Sequence, residues 1–173
     1  MDTIILVGFM GCGKTTVSAA LSQKLGEKFL DTDEEIAREA EMSVSEIFAA
    51  EGEAKFRDRE TALLCRYAED CPCRIVSTGG GMPLREENRK LLQKIGRVFY
   101  LQAQPETICS RLEHDTGRPL LAGLSSRDEK LRKIRDMLTQ REEAYRTAAA
   151  HILPVDGKRP EEIASEILQY ISY

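Results

Sequence analysis

Residues 8–15 read Gly8-Phe9-Met10-Gly11-Cys12-Gly13-Lys14-Thr15, and this stretch decides the fold. It matches the pattern G-x-x-x-x-G-K-[ST], the phosphate-binding P-loop. The apolar run at residues 3–7 precedes it and is typical of a buried parallel strand. Residues 14–25 follow it and have the periodicity of a helix. Because strand, glycine loop and helix occur in the order that the motif requires, we expect a nucleotide phosphate site rather than an ordinary glycine turn that happens to contain a lysine.

The residue types of this loop fit a bound nucleoside triphosphate. Its glycines allow consecutive backbone N–H groups to point towards one centre, and the helix N-terminus adds positive potential there. Lys14 is expected to reach the β- and γ-phosphates, and the Thr15 hydroxyl is expected to bind Mg²⁺. Cys12 could be a reactive thiol, but we favour a role as a small filler side chain. The remaining positions of the expected nucleotide-binding set are Gly11, Gly13 and Thr16.

Length and composition limit the class of protein. A chain of 173 residues predicts a single domain over residues 1–173. The net charge of −4 argues against a nucleic-acid partner. No apolar run approaches the ~20 residues of a membrane span, and no basic signal-peptide region precedes the first strand. Five cysteines and two histidines without metal-ligand spacing indicate reduced thiols and no zinc site. We therefore expect a cytoplasmic protein. A monomer is a separate expectation that is not drawn from the composition.

Strand-like and helix-like runs alternate along the chain. Strands are expected at residues 4–7, 28–30, 74–77, 97–101 and 151–154. Helices are expected at residues 14–25, 33–41, 44–51, 53–69, 85–94, 105–112, 126–149 and 160–171. This alternation predicts a three-layer α/β fold, with a parallel sheet and helices on both faces. Residues 113–125 match neither pattern, and beside a phosphate site we expect a closing lid rather than a surface loop held by its leucines.

Two carboxylates, Asp31 and Asp33, follow the second expected strand. In a parallel sheet this strand ends beside the phosphate loop. Asp31 could hold Mg²⁺ through water, and Asp33 could accept a proton from a substrate hydroxyl or bind substrate hydroxyls. The alternative role for Asp33 is a cap of the helix that follows.

Two arginines lie on or beside apolar helix faces. Arg57 lies at the edge of such a face, so it could point into a cleft, although a solvated surface arginine is the alternative. That face carries Phe56, Glu60, Leu63, Leu64 and Tyr67. In the last long helix the apolar spacing requires a member at position 141, and this member is Arg141. Because a buried guanidinium needs an anion, Arg141 is expected to bind a carboxylate of the protein or of a substrate.

Three further features point to the same edge of the sheet. Gly79, Gly80 and Gly81 follow the third strand, where open parallel sheets bind ligands, and would allow a ligand to approach bare backbone. Arg118, in the expected lid, could neutralise charge on a transferring phosphoryl group. Arg111 could stack on an adenine ring or be a surface cation.

Together these motifs resemble those of the shikimate kinase family, in the family's order and over nearly the whole chain. The matching strings are G-F-M-G-C-G-K-T at 8–15, D-T-D at 31–33, F-R at 56–57, G-G-G at 79–81, R-P-L-L at 118–121 and R-x-x-x-Y-R at 141–146. The resemblance implies a P-loop kinase fold with a five-stranded parallel sheet, a substrate-binding helical region at about residues 33–61 and a mobile lid. It also implies transfer of the γ-phosphoryl group of ATP to the 3-hydroxyl of shikimate, with Mg²⁺ as cofactor.

The resemblance implies a role for each matching residue. Lys14, Asp33 and Arg118 would be catalytic, and Thr15 and Asp31 would hold the metal. The shikimate site would comprise Asp33, Arg57, Gly79, Gly80, Gly81, Arg118 and Arg141. The ATP site would comprise the phosphate loop together with Arg111, Arg118 and, by the loosest match, Arg159.

Three alternatives remain. Another small hydroxy-acid kinase, such as a gluconate kinase, would also need to grip a carboxylate. A GTP-driven switch protein predicts an N-K-x-D motif, which the string at residues 88–91 does not match. A nucleotide-binding module without catalysis would be expected to lack Lys14, Asp33 or Arg118, and all three are present.

Overall fold

The structure is a computed structural model that describes residues 3–113 and 126–171. Within these ranges, strands and α-helices alternate along the chain. The strands are β1 (Thr3–Val7), β2 (Phe29–Asp31), β3 (Ile75–Ser77), β4 (Gly96–Gln102) and β5 (His151–Pro154). The helices are α1 (Lys14–Leu25), α2 (Thr32–Ala40), α3 (Val44–Glu69), α4 (Glu86–Ile95), α5 (Pro105–Arg111), α6 (Arg127–Ala148) and α7 (Pro160–Ile171). A short 3₁₀ helix, Met82–Leu84, follows β3.

The strands form one parallel sheet in the order β2-β3-β1-β4-β5. Ser77 at the end of β3 lies opposite Leu6 of β1 and Asp31 of β2. The carboxyl ends of these three strands therefore meet at one edge, which is where such sheets bind ligands. The predicted five-stranded parallel sheet flanked by helices is confirmed.

Burial of the sheet on both faces explains why the strands are continuous apolar runs in the sequence. Residues 4–7 of β1 are completely buried because β1 is the central strand and helices cover the sheet. On the helical side, α1 packs against α7, whereas α4 packs against α3 and α6. A second, smaller core joins α2 to α3 and contains Ile36, Ile47, Phe56, Leu63 and Tyr67. This second core holds α2 against α3, and α2 begins directly after the end of β2.

One alternative is excluded and one local prediction needs correction. The cap of α2 is Asp31 and not Asp33, because the Asp31 side chain accepts a hydrogen bond from the backbone N–H of Asp33 at 3.0 Å. The helices predicted at 44–51 and 53–69 form one element, α3, with a kink at Gly52 where φ is 82°. The lid predicted at 113–125 lies outside the described residues, except for Glu113. Across the part of the chain that the structure describes, no helix has the length and apolar character of a membrane span.

Candidate active site

The phosphate loop joins β1 to α1 through glycines in left-handed conformations. Gly8, Gly11 and Gly13 have φ values of 146°, 75° and 100°, which other residues rarely adopt. Gly13 also forms the N-cap of α1, so the loop ends at the positive end of a helix dipole. The Cys12 side chain is buried within the loop, as expected for a filler.

Lys14 places its ammonium group inside this loop. The side chain is only 8% exposed, and its Nζ donates hydrogen bonds to the carbonyl groups of Gly8 at 2.9 Å and Phe9 at 3.0 Å. These bonds hold a positive charge over the loop centre, where the phosphates of a nucleotide are expected.

Thr15 and Asp31 present oxygen atoms to each other beside the loop. The Thr15 hydroxyl lies 3.4 Å from Oδ2 of Asp31, whereas Oδ1 of Asp31 caps α2. A hydroxyl and one carboxylate oxygen form the donor set with which proteins hold Mg²⁺ next to substrate phosphates. Both residues line a cavity of about 550 Å³ together with Lys14 and Thr16. The donor chemistry therefore fits a Mg²⁺–nucleotide complex.

A second cavity of about 550 Å³ adjoins the first. It brings together residues that are distant in sequence: Asp33, Arg57, Glu60, Gly79, Gly80, Gly81 and Arg141. Apolar side chains, among them Phe48 and Phe56, complete its lining. Asp33, Met10 and Gly80 line both cavities. Asp33 therefore lies where a group bound in the second cavity would meet the phosphates bound in the first.

The three glycines of this cavity have a steric explanation. A Cβ on Gly79 would overlap Oδ1 of Asp33, and a Cβ on Gly81 would overlap the guanidinium group of Arg57. At Gly80 a Cβ would lie 3.3 Å from the backbone nitrogen of Met10 in the phosphate loop. The glycine segment therefore allows a carboxylate, a guanidinium and the phosphate loop to pack against bare backbone.

Arg57 is held by two carboxylates of its own helix. Its Nη1 donates to Glu60 at 2.8 Å, and its Nη2 donates to Glu53 at 3.0 Å. Glu60 is 0% exposed, and burial raises the pKa of its carboxyl to about 7, although the Arg57 charge opposes this shift. Glu60 was not among the site residues predicted from the sequence. The available signal was a carboxylate at a position on the apolar face of the helix.

Arg141 lies over a neutral aromatic ring instead. Its Cζ lies 5.7 Å from the centroid of the Phe9 ring. Among residues 3–113 and 126–171, no carboxylate forms an ion pair with Arg141. The half-buried guanidinium of Arg141 requires an anion, and the described residues of the protein do not supply one.

The other three predicted arginines differ in placement. Arg111 donates a hydrogen bond from Nη1 to the carbonyl of Gly11 at 3.2 Å, so it lies beside the phosphate loop. Arg159 is exposed before α7, pairs with Glu162 at 3.5 Å and is not part of the described lining of either cavity. Arg118 lies outside the described residues with the rest of the predicted lid.

The chain is similar to proteins of one known family. A family model described as shikimate kinase matches residues 10–172. A shikimate kinase of Neisseria meningitidis serogroup C is 44% identical over 146 residues, which cover 84% of this chain and 83% of that protein. A shikimate kinase of Thermodesulfovibrio yellowstonii is 38% identical over 169 residues, which cover 98% and 94%.

A solved structure shows the same fold. The shikimate kinase from Acinetobacter baumannii in complex with shikimate is 37% identical to this chain, and the two superpose with a TM-score of 0.90 over 99% of this chain and 93% of the other. Together with the family model, which spans nearly the whole sequence, these similarities establish that the chain belongs to the shikimate kinase family.

Proposed function

We propose that this chain transfers the γ-phosphoryl group of ATP to the 3-hydroxyl of shikimate, giving shikimate 3-phosphate and ADP. The observation that carries the proposal is that Asp33 lines both the phosphate-loop cavity and the cavity that contains Arg57 and Arg141. A hydroxyl bound next to Asp33 would therefore lie at the junction with the terminal phosphate. Membership of the shikimate kinase family supports shikimate as the acceptor.

The acceptor cavity matches the chemistry of shikimate. Shikimate carries one carboxylate and three hydroxyls on a ring. The Arg57 and Arg141 guanidinium groups line one cavity and suit a carboxylate. The Asp33 carboxylate suits the hydroxyls, and the aromatic side chains of Phe48 and Phe56 suit the carbon ring.

Positioning and charge neutralisation account for most of the rate of phosphoryl transfer. Asp33 orients the attacking hydroxyl and accepts its proton. Lys14 neutralises charge on the β- and γ-phosphates, and the backbone N–H groups of the loop fix the phosphate chain. Thr15 and Asp31 would hold Mg²⁺, which supplies further charge neutralisation at the phosphates when bound. Arg111, Arg118 and Arg159 are proposed to contact ATP, with Arg118 also reaching the acceptor.

We further propose that the chain acts as a monomer in the cytoplasm. Side chains of a single chain line both cavities, which supports the monomer. All five cysteines are free, which fits a reducing compartment.

An acceptor screen tests the reaction. ADP release is coupled to NADH oxidation, with ATP and Mg²⁺ present, and the acceptors are shikimate, gluconate and other hydroxy acids. We expect turnover with shikimate alone, and a Lys14→Ala variant should lose it, which assigns the ADP to this enzyme. Preferential turnover of gluconate would instead support the alternative acceptor, and no acceptor-dependent ADP release would contradict the proposal.

A further inference from the structure

Asn88 lies buried between α3 and the 3₁₀ helix that follows the glycine segment. It is in the first turn of α4 and is 0% exposed, and both ends of its carboxamide group are hydrogen-bonded. Its Nδ2 lies 2.9 Å from the carbonyl oxygen of Met82, and its Oδ1 lies 2.8 Å from the hydroxyl oxygen of Thr61 on α3. One side chain of α4 therefore connects two segments that are distant along the chain.

The chemistry of the partners determines the direction of both hydrogen bonds. The Met82 carbonyl can only accept, so the amide nitrogen of Asn88 faces Met82 and the amide oxygen faces Thr61. The Thr61 hydroxyl accepts a hydrogen bond from Nη1 of Arg85 at 3.2 Å and has one proton to donate. Two acceptors are within reach of this proton, Oδ1 of Asn88 at 2.8 Å and the carbonyl oxygen of Arg57 at 3.1 Å. Asn88 is the nearer acceptor, so Thr61 donates to Asn88.

The 3₁₀ helix joins this connection to the glycine segment. The backbone N–H of Met82 donates to the carbonyl of Gly79 at 3.1 Å, and the backbone N–H of Leu84 donates to the carbonyl of Gly81 at 3.1 Å. Gly79, Gly80 and Gly81 form one wall of the acceptor cavity. Because these bonds couple the 3₁₀ helix to that wall, a displacement of Met82 would also displace the wall.

The opposite wall belongs to α3. Thr61 lies four residues after Arg57, so the two residues share one face of the helix. The Arg57 guanidinium lies directly against the Gly81 backbone, where a Cβ would overlap it. The two walls therefore meet at Arg57 and Gly81. Asn88 and Thr61 join the same two walls but are not among the residues that line the cavity.

We propose that Asn88 is a positioning residue that fixes the distance between the Arg57 wall and the glycine wall of the acceptor cavity. A buried carboxamide with both bonds formed holds two segments at one separation, and loss of either bond leaves a buried polar group unsatisfied. The inference rests on the proposed function, because it assumes that the acceptor carboxylate binds to Arg57. A shift of either wall should therefore weaken acceptor binding and leave the nucleotide site unchanged.

The first test is Thr61→Val, which replaces the hydroxyl by a methyl group and leaves Oδ1 of Asn88 without its donor. We expect the KM for shikimate to rise about tenfold, with kcat and the KM for ATP within about twofold of the parent values. Thr61→Ser keeps the hydroxyl and should restore the KM for shikimate to within about threefold of the parent value.

The second test is a double-mutant cycle with Asn88→Ala, which removes both bonds of the carboxamide. Asn88→Ala should raise the KM for shikimate by about tenfold or more. In this background, adding Thr61→Val should raise the KM by less than about twofold, because the shared hydrogen bond is already lost.

Ile167→Val is the control for a general loss of stability. Ile167 is a fully buried residue of α7 that is not among the residues lining either cavity. This substitution should lower the free energy of unfolding, measured with urea, and leave the KM for shikimate unchanged.

Each result supports or overturns the inference. Variants of Asn88 and Thr61 that are less stable than the parent but keep its KM for shikimate would show that Asn88 only stabilises the fold, while leaving the proposed function intact. Equal increases in the KM for ATP, independent effects in the double variant, or a Thr61→Ser variant as impaired as Thr61→Val would also overturn the inference. If Asn88→Ala does not fold, the comparison of Thr61→Val with Thr61→Ser decides. A parent without shikimate-dependent ADP release would contradict the proposed function and this inference together.

Discussion

Gly81→Ala should disturb the acceptor cavity by displacing the Arg57 guanidinium. A Cβ at this position would overlap the Arg57 guanidinium at its Cζ and both terminal nitrogens. Gly81 has φ of −97° and ψ of −8°, a right-handed conformation that alanine can adopt. The substitution therefore adds one methyl group without backbone strain, and its effect is exerted on Arg57.

The magnitude follows from the restraints on Arg57. To reach an ordinary separation of ~3.5 Å from the new methyl group, the guanidinium must retreat by more than about 1 Å. The bonds to Glu60 at 2.8 Å and Glu53 at 3.0 Å restrain the guanidinium, so this retreat must distort the position in which Arg57 is held. Because a misplacement of about 1 Å can cost about 10²-fold in rate, we expect kcat/KM for shikimate to fall by that factor, or about 3 kcal/mol.

The assay is coupled ADP release with shikimate and ATP varied in turn. The KM for ATP should stay near the parent value, because Gly81 lines the acceptor cavity and is not among the residues that line the phosphate-loop cavity. Gly26→Ala is the control: its Cβ would meet nothing within 4 Å, but its φ of 67° strains alanine, so stability should fall by about 1 kcal/mol with unchanged shikimate kinetics. A Gly81→Ala variant that folds and keeps the parent kcat/KM would refute this account of Arg57.

Three other substitutions test the charges of the same cavity. Arg141→Ala should raise the KM for shikimate by about 30- to 100-fold, because the carboxylate loses an uncompensated cation, and an unchanged KM in the coupled assay would remove Arg141 from the site. Asp33→Asn should lower kcat by about 10²-fold or more while ATP binding, measured by calorimetry, is retained; near-normal turnover would contradict the role of Asp33 as proton acceptor. Glu60→Gln tests the raised pKa of Glu60. Between its usual value of 4.5 and about 7, the folded protein binds more protons at Glu60 than the unfolded protein, so the parent's free energy of unfolding should fall with rising pH across this window. Between pH 4.5 and 8, the free energy of unfolding of the parent, measured with urea, should fall by up to about 3 kcal/mol more than that of Glu60→Gln. If the free energies of the two proteins change with pH in parallel, the raised pKa of Glu60 is contradicted.

Local signals in the sequence were sufficient for the phosphate loop and the fold class. The spacing of Gly8, Gly13 and Lys14 between a β-branched run and a helical run has few other physical solutions, since left-handed turns need glycine and phosphates need converging N–H donors. Alternation of strands and helices likewise leaves a parallel sheet as the main solution. The cap of α2 shows the limit of such signals. Asp31 and Asp33 both have the chemistry of a helix cap, and only the structure shows that Asp31 takes this position.

The sequence by itself therefore determined the nucleotide chemistry, the order of the elements and the residue types of the acceptor site. Only the tertiary structure decided which partners the buried charged and polar side chains have. From the sequence, Glu60 and Tyr145 are members of apolar helix faces. In the structure, Glu60 forms an ion pair with Arg57, and the Tyr145 hydroxyl donates a hydrogen bond to the Gly80 carbonyl. The physical reason is that burial and hydrogen-bond partners depend on contacts between α3, α6 and the end of β3, which are far apart along the chain, whereas periodicity reports only on one element at a time.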